Sequence, residues 1–229
     1  MKRFDKLTIA THGTGRKSFV VFFNLSARPL AAVRQNAHPS RLPCPLYAGT
    51  VQRTTVEGVR IAWARTARDE RRATGRALIR ALGSQLAPGT DLRIEQRCTL
   101  CGGPHGRPLL PDAPLLASVA YADPWVAVAV ARHHEWAAIG LDLEVEVEGT
   151  ALDLRSLFAP EAPPDLRGWT AIEAVLKADG RGLLLAPDQV RLSPDGRATV
   201  PDGGEFRILP VSAEPGMVVT LAVRQRLRG

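Results

Sequence analysis

Apolar and polar positions along this chain follow two periods, and the switches between them mark the elements. Residues 56–64 and 92–95 read as strands. Between them, residues 66–85 place Leu78, Ile79, Leu82 and Leu86 at helical spacing, with Gly83 weakening the helix end. A Gly- and Pro-rich loop follows over residues 96–114. Strands are expected at 115–119 and 125–131, the second nearly continuous Val and Ala and therefore central. Residues 139–147 alternate apolar with acidic, so Ile139, Leu141 and Leu143 share one strand face and Asp142 and Glu144 the other. A short helix or turn is expected at 154–158. Residues 168–179 form a second principal helix, closed by Gly180, with Glu173 and Lys177 one turn apart on one face. The tail reads as β at 189–192 and 198–200 around the turn Ser193-Pro-Asp-Gly196, then at 205–209 and 218–223. A strand–helix–strands series thus occurs twice. The expectation is an α+β fold of two pseudo-symmetric α/β halves, residues 51–135 and 136–229, meeting near residue 135.

Residues 1–50 differ from the rest and read as a disordered extension, or as upstream sequence included by a too-early start. The run Phe19-Val-Val-Phe-Phe23 imitates a signal peptide faintly, but it is short and broken at Asn24, so a cytoplasmic location is expected. No apolar run is long enough to span a bilayer, which argues against a membrane partner.

Charge sharpens the picture only when it is divided. The formal excess of +7 lies wholly in residues 1–50, which hold eight Lys/Arg and a single acid, and the remainder is neutral. Nucleic acid is therefore not an expected partner. A local cluster survives: residues 51–80 carry eight arginines, suited to a phosphorylated ligand or an acidic protein, or simply to a solvated helix face. Three cysteines make no disulfide framework. Cys98 and Cys101, with His105 beyond, fall short of the four ligands of a structural zinc site and read as reduced thiols in a loop. His133 and His134 read as solvated loop.

The candidate chemistry lies in three carboxylates and a lysine. Asp142 and Glu144 from a strand, and Glu173 from a helix, can converge on one hard, oxygen-seeking cation such as Mg²⁺. The neighbouring Lys177 suggests that the cation holds a phosphate. The plainer alternative is a solvated strand face, since Glu146 and Glu148 continue the alternation, beside an ordinary helix-surface pair.

Taken together, Ile139-Gly-Leu-Asp-Leu-Glu144, a spacer of about 25 residues and Trp169-Thr-x-x-Glu-Ala-x-x-Lys-Ala-x-Gly-x-Gly-Leu183 resemble the signature pair of the 4'-phosphopantetheinyl transferases. The resemblance is to the long, monomeric, surfactin-synthetase-activator type, whose chain holds two pseudo-symmetric halves. Gly106-Arg-Pro108 resembles that family's Gly-Lys/Arg-Pro, residues 69–80 its arginine-bearing first helix, and residues 206–223 its closing hairpin, so the likeness covers about residues 51–225. It implies the 4'-phosphopantetheinyl transferase fold and a Mg²⁺-dependent reaction in which CoA and an apo acyl or peptidyl carrier protein give the holo carrier and 3',5'-ADP. It further implies that Asp142, Glu144 and Glu173 hold Mg²⁺, that Glu173 draws the proton from the carrier serine, and that Lys177 neutralises the leaving phosphate. Arg71, Arg107, Tyr121, Asp142 and Lys177 would line the CoA site. Two positions depart from the family pattern. Ala120 and Tyr121 stand where it usually has Ser-His, the His touching the CoA 3'-phosphate, and Ile172 stands for a usual Lys before the helix glutamate. Tyrosine donates one hydrogen bond but carries no charge at neutral pH, so weaker CoA binding is expected. Two alternatives remain: a non-catalytic CoA- or carrier-binding relative, and another metal-dependent phosphotransferase or phosphodiesterase.

Overall fold

The structure, a computed structural model, describes residues 50–98, 102–146 and 154–226. The extension expected before Thr50, Cys101, and the end of the acidic strand at Val147 and Glu148 lie outside the described residues. Strands β1 (Gln52–Val56) and β2 (Val59–Arg65) pair antiparallel around Glu57 and Gly58, whose φ angles of 48° and 82° make a two-residue hairpin turn. The single strand expected over 56–64 is therefore a hairpin: Glu57 accepts a left-handed conformation that its residue type did not announce. Helix α1 (Arg71–Leu86) starts five residues later than its periodicity suggested. The strand expected at 92–95 is corrected to an isolated bridge, Glu95 to Leu109. β3 (Leu115–Ala122) and β4 (Trp125–Arg132) complete a sheet of order β1-β2-β4-β3, with the Val/Ala-rich β4 in its interior as expected.

The second sheet begins at β5 (Trp136–Val145) and continues, after the short α2 (Arg155–Phe158) and α3 (Leu166–Asp179), through β6 (Arg191–Ser193), β7 (Arg197–Val200), β8 (Gly204–Val211) and β9 (Met217–Gln225), in the order β5-β9-β8-β7-β6. All strand pairs are antiparallel. The two sheets repeat one connectivity. In each, a strand (β2 or β5) leads through a helix to a closing antiparallel pair (β3–β4 or β8–β9) whose last strand inserts beside the first, as β2-β4-β3 and β5-β9-β8, the second sheet carrying β6 and β7 before that pair. The fold is α+β, with two antiparallel sheets in one compact unit, Tyr47–Gly229.

Three apolar clusters explain the layering. Val59, Ile61 and Trp63 of the first sheet share a core with Ile139, Leu141, Leu143 and Leu221 of the second. The other face of the first sheet takes Leu78, Ile79 and Leu82 of α1, and the other face of the second takes Ile172, Val175 and Leu176 of α3. The period-two reading of β5 thus holds from Ala138 onward: Ile139, Leu141 and Leu143 enter the shared core and Ala138, Gly140 and Asp142 face α3, while Trp136, before a register shift, also enters the shared core. At the seam between the sheets the buried Ser118 of β3 accepts a hydrogen bond from the Leu141 amide, at 2.9 Å. That bond uses the edge of β5 that β9 leaves unpaired.

Candidate functional site

A glycine sets how closely the helix meets the strand. A Cβ on Gly140 would lie 2.0 Å from the Ala174 carbonyl oxygen and 2.4 Å from the Ala178 amide nitrogen, so α3 crosses β5 with backbone on backbone. That approach brings Glu173 and Lys177 over Asp142, two residues further along β5. The ends of α3 are fixed locally. Asp165 caps the first turn by accepting from the Gly168 amide at 2.7 Å, and Gly180, at φ 87°, closes the last turn through its amide to Leu176. The helix begins two residues before the expected start, at Leu166, because Asp165 is its N-cap. Ile172, where the family pattern has a lysine, is buried on the apolar side of α3.

Lys177 Nζ donates to Asp142 Oδ1 at 2.5 Å, and the carboxylate is 6 % exposed. Its second oxygen, Oδ2, is buried without a hydrogen-bond partner among the described residues. Burial pushes the Asp142 carboxyl up while Lys177 opposes it. Burial also raises the Glu173 carboxyl, to about 7, with Lys177 opposing and the charges of Asp142 and Glu144 adding to the rise. For Lys177, burial acts downward, but Asp142 and Glu173, then Glu144, outweigh it and hold the ammonium above its usual range. Three carboxylates therefore act on one half-buried lysine, with Glu144 half-buried at the end of β5.

Among the described residues no group of three or more His, Cys, Asp or Glu side chains is drawn into a ready donor set for a metal. The ammonium of Lys177 instead holds one Asp142 oxygen. The chemistry of the residues still fits a hard divalent cation: an orphaned, buried carboxylate oxygen and a Glu173 carboxyl disfavoured as an anion by burial and then by its acidic neighbours would both be relieved by one.

The cationic side of the site comes from α1. The Arg71 guanidinium lies 5.6 Å from the centre of the Tyr121 ring. Burial raises the Tyr121 phenol, against the lowering effect of Arg72, Arg71, Arg76 and Lys177. Tyr121 therefore stands between the arginines of α1 and the lysine of α3. Its hydroxyl would lie 3.1 Å from a Cβ on Gly75, a second close glycine contact. Arg71 has a distant counter-ion, Asp123 at 3.9 Å, which Arg68 shares at the same distance. Arg107 sits apart from this group, its Nη1 3.4 Å from a Cβ placed on Gly180 at the end of α3. Burial and the like charge of Arg224 lower its pKa.

Asp142, Glu144, Glu173, Lys177, Tyr121 and Arg71 are thus one neighbourhood, and Arg107 borders it beyond the C-terminus of α3. Arg72, Arg76 and Arg224 escaped the sequence reading. The first two belonged to an arginine cluster in which spacing alone did not separate ligand-facing from solvated side chains, and Arg224 lies on a strand with no motif. Trp169 packs edge-on against Phe158, at 6.3 Å between ring centres, in keeping with a packing role. Cys98 lies half-buried in the loop, and His133 is exposed in a turn where it meets Arg226. No helix among the described residues is long and apolar enough to cross a membrane. No protein-family model matches the chain, and no curated protein matches it either.

Proposed function

We propose that the protein is a 4'-phosphopantetheinyl transferase, moving the phosphopantetheine arm of CoA to a serine of an apo carrier protein. The observation that carries this reading is the contact of Lys177 with Asp142 beneath Glu173, with Asp142 Oδ2 buried and unpartnered, at the motif spacing of that family. The repeated strand–helix–hairpin connectivity supports the finer fold assignment to two pseudo-symmetric halves.

Asp142, Glu144 and Glu173 would hold Mg²⁺, which when bound supplies charge neutralisation to a diphosphate. The chain's own residues supply the rest. Arg71, Arg72 and Arg76, with the Tyr121 hydroxyl, present positive charge and one neutral donor to the nucleotide phosphates of CoA. Arg107 extends that surface past the end of α3. The carrier serine oxygen bonds to the β-phosphorus of CoA, the bond from that phosphorus to the bridging oxygen breaks, and 3',5'-ADP leaves. Glu173 would take the proton of the serine hydroxyl as its oxygen attacks. Lys177, kept charged by its carboxylate neighbours, faces the charge gathering on the leaving phosphate.

Incubation with CoA, Mg²⁺ and a panel of apo carrier proteins should add the phosphopantetheine mass to at least one carrier serine. A second reading, a CoA- or carrier-binding relative without turnover, is favoured by one observation: Lys177 occupies an Asp142 oxygen and the carboxylates are not gathered into a donor set. It predicts that CoA raises the melting temperature while no carrier gains mass. The cytoplasmic location and the monomeric state belong to the proposal.

A further inference from the structure

Thr220 of β9 lies directly across the ladder from Asp142, so the register sets its hydroxyl, an uncharged donor, on the same sheet face as that carboxylate. Asp142 Oδ2 nevertheless has no partner. The neighbouring helix supplies the reason. Thr170 Oγ1 donates to the Arg167 carbonyl oxygen at 2.9 Å, and a hydroxyl has one proton, so towards Thr220 Oγ1 at 3.0 Å it can only accept. Thr220 is then the donor of that bond, and its proton points to the helix. Both threonines are buried, at 0 % and 5 % exposure, so water does not exchange into the chain freely.

We propose that Thr170 is a positioning residue for the cation site. By taking the Thr220 proton it turns the hydroxyl paired across the strand away from Asp142 and keeps the Oδ2 lone pairs open to a divalent cation. The same bond ties the first turn of α3 to β9, one turn ahead of Glu173. This inference rests on the cation site of the proposed function; it gives the motif's Thr170 a role there and adds Thr220, which lies outside the motif.

The test is Mn²⁺ alone titrated into the full chain, with free Mn²⁺ read by electron paramagnetic resonance. Thr170→Ser, which keeps the hydroxyl, should bind as the parent does. Thr170→Val should bind about five-fold more weakly, the worth of one hydrogen bond, because the freed Thr220 proton then competes for Asp142. Adding Thr220→Val to Thr170→Val should recover most of that loss, since no donor remains. If Thr170→Val does not fold, as judged by its melting curve, the Thr170→Ala series reads the same donor. Unchanged affinity in Thr170→Val, or a double variant no tighter than the single, overturns the inference and leaves the cation site standing. A parent chain that binds no Mn²⁺ overturns both.

Discussion

At the scale of single residues, Asp142 and Glu173 carry the account, and they differ in how they respond to pH. The Glu173 carboxyl is raised from 4.5 to about 7 in the folded chain. A raised acid favours the folded state while it is protonated, so its contribution is fully present below pH 4.5 and is lost as pH rises through about 7. The metal-free protein should therefore lose melting temperature across that window, and Glu173→Gln should flatten the loss. Mg²⁺ should correspondingly stabilise the parent more at pH 8 than at pH 6, which thermal melts at the two pH values would check. Asp142→Asn should abolish transfer, reducing turnover by at least about a hundred-fold by analogy with the loss of a charge-stabilising group. Tyr121→His should tighten CoA binding by calorimetry, because an imidazolium can add charge where the phenol offers one neutral donor. Unchanged affinity would remove Tyr121 from the CoA site.

At the scale of elements, the crossing of α3 and β5 is the joint on which the site depends. Gly140→Ala would set a methyl against helix backbone, not against a flexible side chain, so α3 must lift from the sheet. Overpacking of this kind costs about 1–3 kcal/mol, and the variant should show it in urea unfolding together with weakened Mn²⁺ binding. A Gly140→Ala variant with parental stability and affinity would mean that the close approach does not hold the site. The legibility of these elements follows from physical range. The alternation in β5 and the cap at Gly180 are local, and the sequence displayed them plainly, whereas the Asp165 cap went unread and the expected helix began two residues late. The turn at Glu57 and Gly58 was hidden because a glutamate stands in a left-handed position that usually takes Asn, Asp or Gly. Residues 92–95 have a strand's composition, but Leu109 meets them only at a bridge and no ladder forms. The role of Gly140 was also unreadable, since what lies against it comes from a helix more than thirty residues on.

At the scale of the whole molecule, two sheets share one core, and their helices lie on outer faces, so the site's two sides arrive from different sheets. Tyr121 on β3 and Asp142 on β5 belong to adjoining strands held in register by Ser118 and the Leu141 amide. The proximity of Asp142, Glu173 and Lys177 was legible in the motif pair, because its residues lie on one strand and one helix. The cationic side depends on how α1 packs, and spacing alone left Arg72 and Arg76 unassigned. A second tie joins the sheets elsewhere, where Arg207 of β8 meets both oxygens of Glu57 in the β1–β2 turn. Because that pair is well over a third exposed, Arg207→Ala should lower stability by no more than about 1 kcal/mol and leave transfer unchanged. Cooperative unfolding of both sheets in one transition is the matching expectation for a shared core.

The central claim is that these residues transfer phosphopantetheine from CoA to a carrier serine. Its most direct test is the intact mass of apo carrier proteins after incubation with the chain, CoA and Mg²⁺. The account predicts the phosphopantetheine increment on the serine of at least one carrier, absent with Asp142→Asn. No increment on any carrier, under conditions where an authentic transferase modifies the same panel, would contradict it.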